Sequence, residues 1–262
     1  MSGGEINLQA KTDQTPVKSQ EVIFLSIVIP AYNEARRIAS TLQIIMDYAR
    51  SQKWLTELIV VDDGSQDGTA DLARSQLADW PWSKVISLKK NRGKGAAVKE
   101  GILEARGELI LFTDADLSTP IEELEKFWPL AARQYDLIIG SRALPTSEIR
   151  KRQNFLRETM GKFFNRLVRW LILPDFKDTQ CGFKLFKKEA AREIFARIKT
   201  TGFAFDVELL LLARQLGYKV AEVPVIWINS PDSRVKLLSS SVKMLFELLH
   251  LSLRKNRNKL TP

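Results

Sequence analysis

Short apolar runs alternate along the first half of the chain with longer stretches whose apolar positions recur every three or four residues. The runs are "FLSIVIP" (24–30), "ELIVVDDGS" (57–65), "KVISL" (84–88), "LILFT" (109–113) and "DLIIG" (136–140). Each is short and mostly β-branched or bulky, and reads as a strand buried in a core. The stretches between them predict helices over 34–52, from about 67, over 96–106 and over 120–133. Ser65 or Asp67 is the expected cap of the second. Alternation of this kind predicts an α/β domain with a mainly parallel central sheet flanked by helices.

Beyond residue 143 the pattern changes. Residues 148–174 interleave Arg and Lys with Phe, Leu and Trp. "DTQCGFKLF" (178–186) reads as a loop feeding a short strand, and 202–217 as a buried helix with acidic residues near its start. "AEVPVIWI" (221–228) reads as a strand, and a basic amphipathic helix follows from about 233. The expected division is a polar tail over 1–21, one domain over 22–232 and the amphipathic helix over 233–262.

The chain has 262 residues and a formal net charge of +9, which implies an anionic partner. Cys181 is the single cysteine and His250 the single histidine. No intrachain disulfide can form, a reducing compartment fits, and zinc sites and Ser–His or Cys–His pairs are disfavoured. The basic residues gather around apolar helices rather than on a stacking sheet, so a nucleic-acid partner is not expected. No run of 18 or more uncharged apolar residues occurs, so no transmembrane helix is expected.

The candidate chemistry lies where the predicted strands end. Their exits are Pro30 to Glu34, Asp62 to Ser65, Lys90 to Gly95, Asp114 to Asp116, and Ser141-Arg142. In open α/β sheets this is the edge that binds ligands. Asp114 and Asp116 are two apart in extended chain, so their carboxylates share one side. Like charges that close raise one pKa unless a cation sits between them, and a hard divalent cation takes one or two carboxylates plus phosphates. The alternative is a polar loop in which Asp116 caps a helix starting near Pro120. Lys94 can neutralise a diphosphate, and Gly93 and Gly95 can let the backbone approach it; the alternative is a solvated turn. Asp63 can accept from a base N–H or form an Asx turn with Gly64. Glu34 can bind ribose hydroxyls or favour a helix start.

"IVIPAYNE", "IVVDDGSQDGTA", "NRGKGAAVKEG", "FTDADLSTP" and "DTQCGFKLF" occur in this order. With them the chain resembles the family 2 glycosyltransferases of GT-A fold, in the branch of dolichyl-phosphate β-glucosyltransferases and mannose synthases. The resemblance covers roughly residues 22–235. It implies inverting transfer of a hexose from a nucleotide sugar to a polyprenyl phosphate. By the family pattern Pro30, Tyr32, Glu34, Asp63, Lys94 and Asp114 contact the nucleotide sugar. Asp114 and Asp116 hold Mg²⁺ or Mn²⁺, and with Arg142 form the catalytic set. Arg142, Arg157 and Gln180 meet the acceptor phosphate, and Asp178 lines the same side. The "DTQCGFKLF" stretch leans towards UDP-glucose over GDP-mannose. Mannose synthases of this type carry Gln two residues after the second aspartate, where this chain has Ser118. A nucleotidyltransferase is the rival enzyme class. A phosphate acceptor is already largely ionised near neutral pH, its second pKa being about 6, so a missing catalytic histidine is no obstacle.

A polyprenyl acceptor brings the protein to a membrane. Val235, Leu238, Val242, Leu245, Phe246, Leu249 and Leu253 recur at helical spacing beside Lys236, Lys243, Arg254, Lys255 and Arg257. This is the pattern of an interfacial helix, with core packing or a dimer contact as the alternative. With 148–170 as a second contact, the expectation is peripheral, salt-sensitive association with the cytoplasmic face of a membrane. A separate membrane-anchored partner protein is the other route to the lipid.

Overall fold

The computed structural model describes residues 22–151, 155–229, 247–248 and 251–252. The expected tail over 1–21 lies outside the described residues, as does the amphipathic helix over 233–262 except at those last four positions.

Seven strands form one sheet in the order β3-β2-β1-β4-β7-β5-β8. They are β1 (Leu25–Ala31), β2 (Thr56–Asp62), β3 (Ser83–Ser87), β4 (Leu109–Thr113), β5 (Leu137–Ser141), β7 (Phe183–Lys187) and β8 (Val220–Pro224). Every pairing is parallel except those of β7, which lies antiparallel between β4 and β5. The short β6 (Glu148–Lys151) and β9 (Ile226–Ile228) make a second, parallel pair. The helices are α1 (Ile38–Ser51), α2 (Thr69–Gln76), α3 (Lys94–Glu104), α4 (Trp128–Ala131), α5 (Phe155–Leu171), α6 (Lys188–Arg197) and α7 (Phe205–Gln215).

The central strands β1, β2, β4 and β5 are largely apolar because both sheet faces are covered. On β1, Leu25, Ile27 and Ile29 join a core with Ile38, Leu42 and Ile45 of α1, whereas Val28 faces Ala97, Val98 and Ile102 of α3. The same period of two divides Leu58 and Val60 from Ile59 and Val61 on β2. Leu248 and Leu251 are buried in the α3 side of the core. At these positions the C-terminal segment packs on the domain. The face assigned above to a membrane surface, Val235 through Leu253, lies outside the described residues.

Two expectations are corrected and one element is added. The helix expected over 120–133 is a 3₁₀ turn at Ile121–Lys126 followed by the four-residue α4. Pro129 cannot continue a helix from the turn before it, but is tolerated in the first turn of a new one. The strand expected over 221–228 changes partners at Val225, whose N–H donates to Ser141 and whose carbonyl accepts from Glu148. Pro224 is still paired with Ser141, the last residue of β5, and its nitrogen faces the open edge of the sheet, where a missing N–H costs no ladder bond. Residues 188–197, left unassigned from the sequence, form α6.

The sheet's order reverses direction between β1 and β4, so the loops after these two strands diverge and leave a crevice. Because β7 is antiparallel, its amino end, Phe183, pairs with Thr113 at the end of β4. The 178–182 segment thus arrives at the edge where β1, β2, β4 and β5 finish.

Candidate active site

The loops after β1 and β2 are laced together. The Asn33 N–H donates to Ser65 Oγ (2.8 Å), Glu34 N–H to Thr69 Oγ1 (2.8 Å), and Ala35 N–H to Asp67 Oδ2 (3.1 Å). Gly68 at φ 85° takes the N-cap position of α2, but Asp67 Oδ1 accepts the N–H of Thr69, the helix's first residue, at 3.2 Å. Asp67 thus both ties the loops and satisfies the helix start, whereas Ser65 ties the loops. The Glu34 carboxylate pairs with Arg37 Nε at 2.7 Å. Tyr32 is exposed, and Pro30 sits in β1 opposite Val61. Asp63 is buried, and its two oxygens accept the Arg92 and Gly93 N–H groups at 2.7 and 2.8 Å. Burial pushes its carboxyl up and these donors partly offset that. Instead of an Asx turn with Gly64, Asp63 fastens the β3–α3 loop to β2, and each oxygen keeps capacity for another donor.

Lys94 is the first residue of α3, and its ammonium lies 2.6 Å from Asp114 Oδ1. It also lies over the Phe112 and Phe203 rings, at 5.3 and 6.0 Å. Burial works against the charge, but Asp114 and then Asp206 outweigh it and raise the lysine's pKa. Gly93 and Gly95 serve a different purpose from the one expected. A Cβ on Gly93 would strike the Thr201 carbonyl, and one on Gly95 would lie 2.7 Å from Phe205 Cβ. Their bareness lets α3 close on the 200–205 segment, which puts Lys94 beside α7.

Asp114 and Asp116 follow β4 directly. A Cβ on Gly182 would overlap the Asp114 carboxylate, so the Asp114 side chain rests on the bare backbone ahead of β7. Asp116 Oδ1 accepts the Ser118 N–H at 2.9 Å, an Asx-type turn rather than a cap for the helix at 121. Burial pushes the Asp116 carboxyl up, the Asp114 charge adds to this, and Ser118 opposes it. Among the described residues no group of three or more His, Cys, Asp or Glu is placed to hold a metal. Two hard carboxylates two residues apart, with that of Asp116 raised by burial and by the Asp114 charge, fit a divalent cation that takes its other ligands from phosphates.

Arg142 follows β5. Its Nε and Nη2 donate to Asp178 Oδ2 and Oδ1 at 2.7 and 2.9 Å, and its backbone N–H donates to Oδ2 at 2.9 Å. Burial alone would push the Asp178 carboxyl up; Arg142 outweighs it and holds it at about 2. The guanidinium lies 5.7 Å from the Trp227 ring. Asp178 is thus the arginine's clamp rather than a free lining group. Gln180 donates its N–H to Asp178 Oδ1 at 3.1 Å and so stands at the same corner. Arg157 falls within α5, and its side chain lies outside the described residues. Cys181 is buried, with burial pushing its thiol up to about 11, which suits a packing residue.

Two functional neighbours were missed. Lys184, fully buried on β7, donates to Asp206 Oδ1 and to the Cys181 carbonyl, both at 2.6 Å. Asp206 opens α7 and stands among the charges around Lys94. A lone lysine inside "GFKLF" was the signal for this pair, since charge inside a covered strand needs a partner.

Comparison with known proteins shows the family and the fold. The model of glycosyl transferase family 2 matches residues 26–195. The dolichyl-phosphate beta-glucosyltransferase of Dictyostelium discoideum is 37% identical over 244 residues, covering 88% of this chain and 75% of the relative. The human protein of the same name is 37% identical over 246 residues, with 88% and 75% covered. Among solved structures, glucosyl-3-phosphoglycerate synthase from Mycobacterium tuberculosis in complex with Mn²⁺ and UDP-glucose superposes with a TM-score of 0.64. It is 19% identical, with 88% of this chain and 79% of that one covered. The chain is a GT-A protein and belongs to glycosyl transferase family 2.

Proposed function

We propose that this glycosyltransferase moves glucose from UDP-glucose to dolichyl phosphate or a similar polyprenyl phosphate, with inversion at C1. The observation that carries this reading is the pairing of two oppositely charged seats at one sheet edge. The Asp114–Asp116 carboxylates follow β4, and the Arg142 guanidinium follows β5. The names of the two relatives above support the acceptor and the sugar.

In this reading Asp114 and Asp116 would hold Mg²⁺ or Mn²⁺, which when bound would supply Lewis-acid stabilisation of the nucleoside diphosphate leaving group. Lys94 adds a positive charge on the same side. Pro30, Tyr32, Glu34 and Asp63 flank the nucleotide, with Asp63 fixing the loop that carries Lys94. Arg142, oriented by Asp178 and backed by Trp227, presents its remaining N–H donors to the acceptor phosphate, helped by Gln180 and Arg157. A phosphate oxygen forms the new bond to C1 as the bond from C1 to the diphosphate oxygen breaks. The electron pair leaves with the nucleoside diphosphate. The ionised acceptor has no proton to give up, so no general base is needed.

The lipid tail calls for a peripheral seat on the cytoplasmic face of a membrane, by this chain or through an anchored partner. Trp170 on α5 is 81% exposed, and Arg166 and Arg169 are exposed beside it. Both arginines, with Lys177, line a groove of about 450 Å³ against Ala143 and Pro145, next to Arg142. A tryptophan among cations suits the boundary between headgroups and acyl chains.

The test is transfer itself. UDP-glucose and GDP-mannose are offered separately with Mn²⁺ or Mg²⁺ and a short polyprenyl phosphate. Glucosyl transfer that EDTA and Asp116→Ala abolish is the expected result. Transfer from GDP-mannose alone overturns the donor, and pyrophosphate release from a nucleoside triphosphate overturns the reaction class.

A further inference from the structure

The carboxylate read as a metal ligand is already occupied by a cation that belongs to the chain. Lys94 Nζ sits 2.6 Å from Asp114 Oδ1, and the two side chains are only 20% and 32% exposed. A divalent ion bound by Asp114 and Asp116 needs that same charge, so the ammonium and the metal compete for one carboxylate. The lysine also has somewhere to go. Its stem is flexible and its head carries three donors. Asp206, the second of the charges raising its pKa, stands on α7 and keeps an anion near it. Asp206 is itself fixed, because Oδ1 accepts from Lys184 at 2.6 Å, and Lys184 is fully buried and also bonded to the Cys181 carbonyl.

We infer that Lys94 is a tethered counter-ion that guards the metal position and makes metal binding depend on the donor. In the donor-free protein it neutralises Asp114 and holds off a free divalent ion. When a nucleoside diphosphate enters, its oxygens offer Lys94 a new anionic partner, Asp114 is released to the metal, and Asp206 keeps the ammonium within the cleft as a positioning residue. The device suits a protein that meets free Mg²⁺ or Mn²⁺ at all times and needs the ion only with its donor. This inference rests on the proposed metal and diphosphate site and adds the order in which its charges are exchanged.

The test is the affinity for Mn²⁺ alone, read from the electron paramagnetic resonance signal of the unbound ion, for the full chain and for Lys94→Met and Lys94→Gln. Both variants are expected to bind nucleotide-free Mn²⁺ tighter by at least about fivefold, the lower end of ordinary coupling between two ligands. Because Lys94 has left Asp114 in the UDP-bound protein, Mn²⁺ affinity there is unchanged, so the factor by which UDP improves Mn²⁺ binding falls by the same amount. By reciprocity, so does the factor by which Mn²⁺ improves UDP binding. Lys94→Arg, which keeps the charge, is expected to retain the weak metal binding. Should Met at position 94 disturb the fold, Gln, which keeps a polar head, carries the same expectation. Unchanged or weaker Mn²⁺ binding in the folded Met or Gln variant, with UDP still enhancing Mn²⁺ binding to the parent, overturns this inference alone. No Mn²⁺ binding to the parent even with UDP overturns the proposed site and this inference with it.

Discussion

Asp114 shows how little of a residue's role lies in its own identity. Its place after an apolar strand, two residues before another aspartate, suggested a metal ligand. The structure adds the bare Gly182 backbone on which the carboxylate rests, and the lysine that neutralises it. Gly182→Ala is therefore expected to move Asp114 and cost roughly 100-fold in transfer rate, the scale of a small misplacement of a reacting group. Circular dichroism of that variant should remain native; full activity would remove Gly182 from the site. Asp178 carries a different consequence. Its carboxyl titrates at about 2, below its unfolded value, because Arg142 clamps it. The stability it contributes is complete above about pH 4 and disappears as pH falls through about 2, on the order of 2 kcal/mol. Asp178→Asn should lower stability at neutral pH and flatten the acid limb of the unfolding curve. An unchanged limb in acid titration would count against the clamp.

At the scale of elements, β7 is the piece that assembles the site. By entering antiparallel between β4 and β5 it carries Asp178, Gln180 and Gly182 to the edge where Asp114 and Arg142 end their strands. Lys184 on β7 then anchors α7 through Asp206. A buried pair is costly to break from one side, about 3–5 kcal/mol, because the partner is left charged and unpaired. Lys184→Met should show a loss of that size in urea unfolding. Lys184→Met with Asp206→Asn should lose less than the sum of the single changes. Strict additivity in that cycle would mean that the two elements are held by packing alone. The broken helix at Pro129 follows from a residue without an N–H, whereas the strand changes partners after Pro224 because β5 ends at Ser141.

For the whole molecule, charge and shape meet on the face next to Arg142. A net charge of +9 and the groove of Arg166, Arg169 and Lys177 beside exposed Trp170 predict binding to anionic vesicles at low salt. Co-sedimentation should weaken as salt rises and again in Arg166→Glu with Arg169→Glu; binding indifferent to both would place the membrane contact elsewhere. The fold class was legible because strands covered on both faces are written as short apolar runs, and their period of two and the helical period are local properties. The strand exits were legible for the same reason, and with them Asp63, Lys94, Asp114, Asp116 and Arg142. What the sequence by itself determined was therefore this alternation, the family it resembles, and the residues that stand at the sheet's carboxyl edge. Tertiary structure alone decided which of them meet. Arg142 and Asp178 are 36 positions apart, and Lys184 and Asp206 are 22 apart. Such pairs form only when the order and direction of β7 in the sheet are fixed, and that choice belongs to packing over the whole core, which no local period records.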